Sequence, residues 1–203
     1  MKSILLSIKT KWVAKIFNGE KTIEIRKKFP KDYVGWVYIY CTKEDDLCCI
    51  KKIAKDKYVC GKDFDISDFN YLASGYNGKG KVVARFWCDK VEEIKTTERH
   101  SPELLDQSCL NADEFYDYLT KGKNFLGKIL GYAIHISNLE IFDRPRELSE
   151  FYKKGYLDYI KPCEHPRYPK TYKDFYKSVL KVAKHKFKIT KAPQSWCYCE
   201  VGE

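Results

Sequence analysis

The chain opens on consecutive branched apolar residues, I-L-L-S-I over 4–8, which lack helical spacing and read as a short buried strand. Trp12, Val13, Ile16 and Phe17 then recur every three or four residues, predicting a helix with Thr10 as its N-cap and Asn18-Gly19 as its stop. T-I-E-I-R over 22–26 alternates with period two, setting Ile23 and Ile25 on one face and Thr22, Glu24 and Arg26 on the other. Tyr33 to Cys41 is the next strand. Residues 42–80 hold no sustained period and read as an irregular excursion, ending in the turn-like S-G-Y-N-G-K-G before the strand K-V-V-A-R-F-W-C.

Further along, Ser101-Pro102-Glu103 and Asn111-x-x-Glu114 open two helices, the second with a capping-box pattern leading into Phe115, Tyr118 and Leu119. Tyr132 to Phe142 reads as one long strand, and Pro145 is placed to start a helix over R-E-L-S-E-F-Y. After a Pro-rich loop over 162–169, Thr171-x-x-Asp174 is expected to cap a basic amphipathic helix carrying Tyr172, Phe175, Tyr176, Val179, Leu180 and Phe187. A-P-Q-S-W-C-Y-C-E closes the chain as a strand. Strands interleaved with helices, and few hairpin-tight turns, predict a single α+β domain over 1–203: a barrel-like sheet with helices outside it, and a basic helical C-terminal extension over 144–190 from which 194–200 returns to the sheet.

Composition narrows the class. In 203 residues, 44% are apolar and 33% charged, enough to bury a core and wet a surface, which excludes a disordered or fibrous chain. No run approaches the roughly 18 apolar residues of a membrane span, and Lys9 and Lys11 interrupt the start too early for a signal peptide, so a cytoplasmic location is expected. Nine cysteines, an odd number at low density, fit a reducing compartment. Cys163, His165, His185, Cys197 and Cys199 are the nearest to a zinc set, but C-x-C without a second pair matches structural zinc poorly, and neither metal nor cofactor is expected.

The net charge is +10, and its distribution says more than its size. Residues 1–31 hold nine Lys or Arg against two Glu, and residues 150–203 hold twelve against six, whereas the middle is net negative. If the two ends meet, they form one basic face suited to phosphate groups; only six of the 38 basic residues are Arg, so a merely solvated lysine surface is the competing reading.

The candidate chemistry lies in Gly19-Glu20-Lys21-Thr22-Ile23-Glu24-Ile25-Arg26. Glu24 and Arg26 point the same way, roughly 7 Å apart along the strand, and Gly19 permits the turn that brings Lys21 to the same surface. Cations there can hold a phosphate or an anionic base edge, and a carboxylate can accept from a base amino group. This G-x-K-x-x-E-x-R pattern, set after I-L-L-S-I-K and W-V-A-K-I-F-N and followed by V-Y-I-Y-C and G-K-V-V-A-R-F, resembles the ASCH family of the PUA-like superfamily. The resemblance runs over 3–41, 80–95 and 130–143, and the ending H-I-S-N-L-E-I-F-D-R-P-R-E-L-S-E-F with P-Q-S-W-C-Y resembles the larger ASCH proteins of phages and prophages. It implies a small β-barrel flanked by helices and a cleft, lined by Lys21, Glu24 and Arg26, that binds RNA or a nucleobase. Similar small ASCH proteins are amidohydrolases of acylated cytidine; Lys21 matches their motif lysine, while Glu24 stands where they have a threonine, with Thr22 nearby. Their later glutamate would fall among Glu103, Asp106, Asp113 and Glu114.

Gln194, Ser195 and Trp196 form a second candidate cluster, an amide to read a base edge and an indole to stack on one. Tyr38 and Tyr40 share a strand face, and Tyr40 is assigned to the cleft. Trp12 and His135 read as core residues. The expected partner is RNA or another single-stranded nucleic acid, or a modified nucleoside; the enzymatic alternative is a hydrolase of a modified nucleoside, or a ribonuclease, using Lys21.

Overall fold

The computed structural model describes residues 2–43, 49–54, 57–61, 75–95, 101–121, 129–160 and 172–201. β1 (Ser3–Ile8) is buried along its whole length. Both its edges are taken, by β3 (Gly35–Cys41) in parallel and by β12 (Trp196–Val201) antiparallel. Adding β7 (Val82–Cys88), β10 (Ser137–Arg146) and β11 (Phe151–Lys153) completes a six-stranded sheet in the order β10-β7-β3-β1-β12-β11. A three-stranded sheet, β2-β9-β8, is built from β2 (Ile23–Arg26), β9 (Ile129–His135) and β8 (Val91–Lys95).

The two sheets share a bent ribbon. β7 pairs with β10 and β8 with β9, so the chain passes from the large sheet to the small one at Asp89-Lys90 and returns at Ile136. The main core fills the space between them: Ile4, Leu6 and Ile8 of β1, Val37 and Ile39 of β3 and Phe86 of β7 meet Ile134 of β9, with Val13, Ile16 and Phe17 of helix α1 (Thr10–Phe17). The outer face of the small sheet, Ile23, Ile25 and Ala133, is covered by α2 (Pro102–Ser108) and by Phe115 and Leu119 of α3 (Ala112–Thr120). Beyond β11, a short α4 (Tyr156–Ile160) and α5 (Tyr172–Phe187) pack through Tyr152, Tyr156, Ile160 and Ala183. Glu200, buried, accepts from the backbone N–H groups of Gly155 and Leu157 at 3.0 and 2.7 Å, tying α4 to the sheet. Among the described residues no helix is long and apolar enough to cross a membrane.

Several expectations need correction. No closed barrel is found among the described strand pairings, because β1 has no free edge for β2; instead the Arg26 guanidinium donates to the Ser7 carbonyl at 2.5 Å, a side chain spanning the seam where a closing ladder would run. The excursion over 42–80 carries a third sheet, β5 (Lys57–Gly61), β4 (Cys49–Ala54) and β6 (Gly75–Asn77) in the order β5-β4-β6; its strands are too short and lysine-broken to reveal their period. Thr10 is the first helical residue rather than the cap. Lys9 occupies that place without a side-chain bond, and Thr10 Oγ1 turns inward to within 3.6 Å of Cys41 Sγ. The strand expected over 132–142 is two strands in different sheets, with Asn138 at φ +44° just past the bend. Pro145 starts no helix. It lies in edge strand β10, where no ladder N–H is demanded of it, and only a 3-10 turn over Leu148–Glu150 separates it from β11. Thr171 and the Pro-rich loop lie outside the described residues.

Gly131 measures how closely the small sheet packs. A Cβ there would stand 2.7 Å from the Arg26 carbonyl oxygen and 2.6 Å from Leu119 Cδ2, and the backbone oxygen cannot yield. Gly131→Ala is therefore expected to destabilise the chain by about 1–3 kcal/mol, read as a lowered urea midpoint; an unchanged midpoint contradicts this packing.

Candidate functional site

The site grows from β2. Its period puts Ile23 and Ile25 against α2 and α3, which turns Glu24 and Arg26 toward the seam. Lys21 reaches them through a tight exit from α1, where Gly19 sits at φ +76° and the N–H groups of Glu20 and Lys21 both donate to the Lys15 carbonyl. The outcome is a buried chain of charge. Glu24 Oε1 lies 2.9 Å from Arg26 Nη2 and Oε2 lies 3.4 Å from Lys21 Nζ. Lys21 and Glu24 are only 3% and 5% exposed. Lys21 Nζ also donates to the Ser108 carbonyl at 2.6 Å and stands 5.0 Å from the centre of the Trp12 ring. Formally this is two cations on one carboxylate. Arg26 Nε, buried, finds no acceptor among the described residues.

The strand then delivers Lys27, Lys28 and Phe29 to the mouth of the seam. There they face Tyr132, the pairing partner of Arg26, together with Trp196 and Tyr198 of β12, around a cleft of about 390 Å³. Trp196 is held in place: its Nε1–H donates to the Lys28 carbonyl at 2.7 Å, and its ring meets Phe29 and Tyr198 edge-on at 5.6 and 5.5 Å. An aromatic pocket of nucleobase scale, with lysines on its rim, can stack a flat heterocycle and hold its phosphate.

Lys21, Glu24, Arg26 and Trp196 thus fall along one seam, while the other proposed site residues separate. Thr22 is exposed, and its backbone is spent on the Gln107 carbonyl and the Ile136 N–H. Gln194 is exposed, and Ser195 uses its carbonyl to accept from the Ser7 N–H. Tyr40 is the correction: it is buried on the far side of the six-stranded sheet with Leu5, Tyr38, Phe151 and Ile189, and burial raises its pKa. Of the acidic candidates, Glu114 closes the capping box with Asn111, while Glu103, Asp106 and Asp113 are exposed. His135 is not a core residue, since its Nε2 pairs with Glu92 at 2.6 Å beside Lys90. Phe29, Tyr132 and Tyr198 line the cleft although the hydrophobic pattern does not single them out; the available signal is Tyr198, two positions from Trp196 and hence on its face.

Cys197 and Cys199 share the apolar face of β12, His185 is exposed on α5, and Cys163 and His165 lie outside the described residues. Among the described residues no three potential ligands gather to hold a metal. Burial pushes the Cys88 thiol up to about 12 and raises Cys199 as well. The charge distribution is more telling. β1 pairs with β12, which brings the two terminal segments of the chain side by side through strands that themselves carry no Lys or Arg. Between Asp174 and Glu200 there is no acidic residue, and Lys177, Lys181, Lys184 and Lys188 run along one exposed flank of α5 and its end.

Glu24→Gln strands two buried cations and is expected to cost about 3–5 kcal/mol, whereas Lys21→Met leaves Glu24 paired with Arg26 and costs less; equal losses in urea unfolding contradict the bridging role. In alkylation at neutral pH, half-buried Cys109 is expected to label before Cys88 and Cys199, and equal rates in the folded chain contradict their burial.

No protein-family model matches the chain, and no curated protein matches it. Among solved structures it is similar to ASCH from Zymomonas mobilis, at 13% identity and a TM-score of 0.46, covering 97% of this chain and 86% of that one. It is likewise similar to two point variants of that protein, each at 13% identity, with TM-scores of 0.46 and 0.45, covering 98% and 97% of this chain and 90% and 87% of theirs.

Proposed function

We propose that this chain is an ASCH-type binder of single-stranded RNA or of a modified nucleobase, with the base received at the mouth of the seam between the two sheets. The observation that carries the reading is the cleft itself: Phe29, Tyr132, Trp196 and Tyr198 present rings, and Lys27 and Lys28 bring positive charge to its rim. The G-x-K-x-x-E-x-R residues support it from behind. Glu24 neutralises only one of its two cations, so the buried network leaves a positive field behind the pocket, favourable to an anionic ligand.

Binding is favoured over hydrolysis by what surrounds Lys21. Its Nζ is directed at the Ser108 carbonyl and the Glu24 carboxylate and is almost wholly buried, whereas a general base must offer a free lone pair within reach of a substrate proton. The lysine flank of α5 adds an attraction to polyanions that does not depend on sequence.

Stacking on one aromatic side chain contributes about 1–3 kcal/mol per base. Trp196→Ala is therefore expected to weaken binding of a fluorescein-labelled single-stranded RNA by roughly 5- to 150-fold in fluorescence anisotropy, with Trp196→Phe between it and the parent. Unchanged affinity in a folded Trp196→Ala chain overturns the assignment of the cleft.

A further inference from the structure

We propose that the cleft selects guanine, with the Lys28 ammonium as the donor that recognises the O6 and N7 acceptors of that base. This inference rests on the binding reading above and extends it from a stacked base to one particular base and the residue that reads it.

The polar inventory of the cleft is one-sided. Phe29, Pro30, Ile129 and Trp196 offer it no side-chain acceptor, and no Asp, Glu, Asn or Gln is among the lining residues. Two backbone acceptors of the lining are already spent. The Lys28 carbonyl accepts from the Trp196 indole at 2.7 Å and the Pro30 carbonyl from the Tyr33 N–H at 3.2 Å. Glu24, the carboxylate behind the cleft, has one oxygen on Arg26 and the other on Lys21. The hydroxyls of Tyr132 and Tyr198 can donate or accept, so they suit keto and amino groups alike. The choice between bases therefore falls to the lysines, which only donate.

The two lysines of the lining are not equivalent. Lys27 Nζ donates to the Lys121 carbonyl at 2.6 Å and stands 5.5 Å from the centre of the Tyr118 ring, which commits it to the end of α3. Lys28 is exposed, and its ammonium makes no hydrogen bond or ion pair among the described residues. Its carbonyl holds the indole on which a base would stack, so one residue fixes the ring and supplies the donor beside it. Along the edge that a base shows in the major groove of a duplex, guanine carries two acceptors and no donor. Uracil has one acceptor there, adenine sets an amino group beside its acceptor, and cytosine presents an amino group. A reader that only donates gains most from guanine and meets an unmatched N–H on adenine or cytosine. The excess positive charge of the Lys21–Glu24–Arg26 network favours the same carbonyl-bearing edge.

The test measures fluorescence anisotropy on the full chain with short fluorescein-labelled cytidine strands that carry one central guanosine, inosine, adenosine or cytidine. Inosine keeps O6 and N7 and lacks the 2-amino group, so it isolates the edge. The guanosine and inosine strands are expected to bind about 5- to 10-fold more tightly than the adenosine and all-cytidine strands, the low end of base discrimination because Lys28 is exposed. Lys28→Met leaves the carbonyl that anchors Trp196 and is expected to bring that ratio close to one. Lys28→Arg retains the ratio, since a guanidinium also donates to O6 and N7, and Lys27→Met leaves it unchanged. Equal affinity of the parent chain for the guanosine and adenosine strands, or for the guanosine and all-cytidine strands, overturns the guanine assignment and leaves the cleft reading standing. Inosine binding no better than adenosine overturns recognition through O6 and N7. A ratio that survives in Lys28→Met overturns Lys28 as the reader. Failure of the parent chain to bind any of the strands at low salt overturns the cleft reading itself.

Discussion

One carboxylate organises the centre of this molecule. Glu24 lies between Lys21 and Arg26, and each cation reaches on to a different part of the chain: Lys21 to the end of α2 at the Ser108 carbonyl, Arg26 across the seam to the Ser7 carbonyl of β1. Through these bonds a four-residue strand is fixed to the outer helices and to the central strand at once. The cost of burying the charges is offset only if every one of these bonds is kept, so the network specifies one relative placement of the two sheets.

That placement makes the cleft. Since β1 already has partners on both edges, β2 approaches it without a ladder, and a cleft opens just past the end of β2. Beside the Lys21–Glu24–Arg26 network apolar side chains pack between the sheets, and Phe29, Tyr132, Trp196 and Tyr198 line the open end of the seam. The bond from the Trp196 indole to the Lys28 carbonyl ties the two walls together and fixes the ring before any ligand arrives. A preorganised ring forfeits little rotamer freedom on stacking, which lowers the cost of binding.

The hydrophobic pattern makes much of this legible. The alternation over 22–26 puts Glu24 and Arg26 on one face, and the turn after Asn18 brings Lys21 to it. Their depth is not legible, because the residue that covers Lys21 is Ser108, distant in sequence and joined only by the packing of α2. Tyr40 falls on the wrong side of the sheet for a related reason. A strand buried on both faces looks the same from either side, and nothing in V-Y-I-Y-C tells which face meets β2 and which meets Phe151. The break at Ile136 is marked only by Ser137 and Asn138, an interruption too short for the hydrophobic pattern to show that the strand changes sheets there. Closure of the barrel depends on edge availability at β1, a property of pairing rather than of any residue.

Under the function proposed above, a nucleobase occupies the aromatic mouth of the seam. Ultraviolet crosslinking of the chain to a single-stranded RNA, followed by mass-spectrometric mapping of the modified residues, tests it most directly. The account predicts adducts on Phe29, Tyr132, Trp196 or Tyr198. Adducts confined to the opposite face of the six-stranded sheet, where Trp36 of β3 and Trp87 of β7 meet edge-on, with these four residues unmodified, would contradict it.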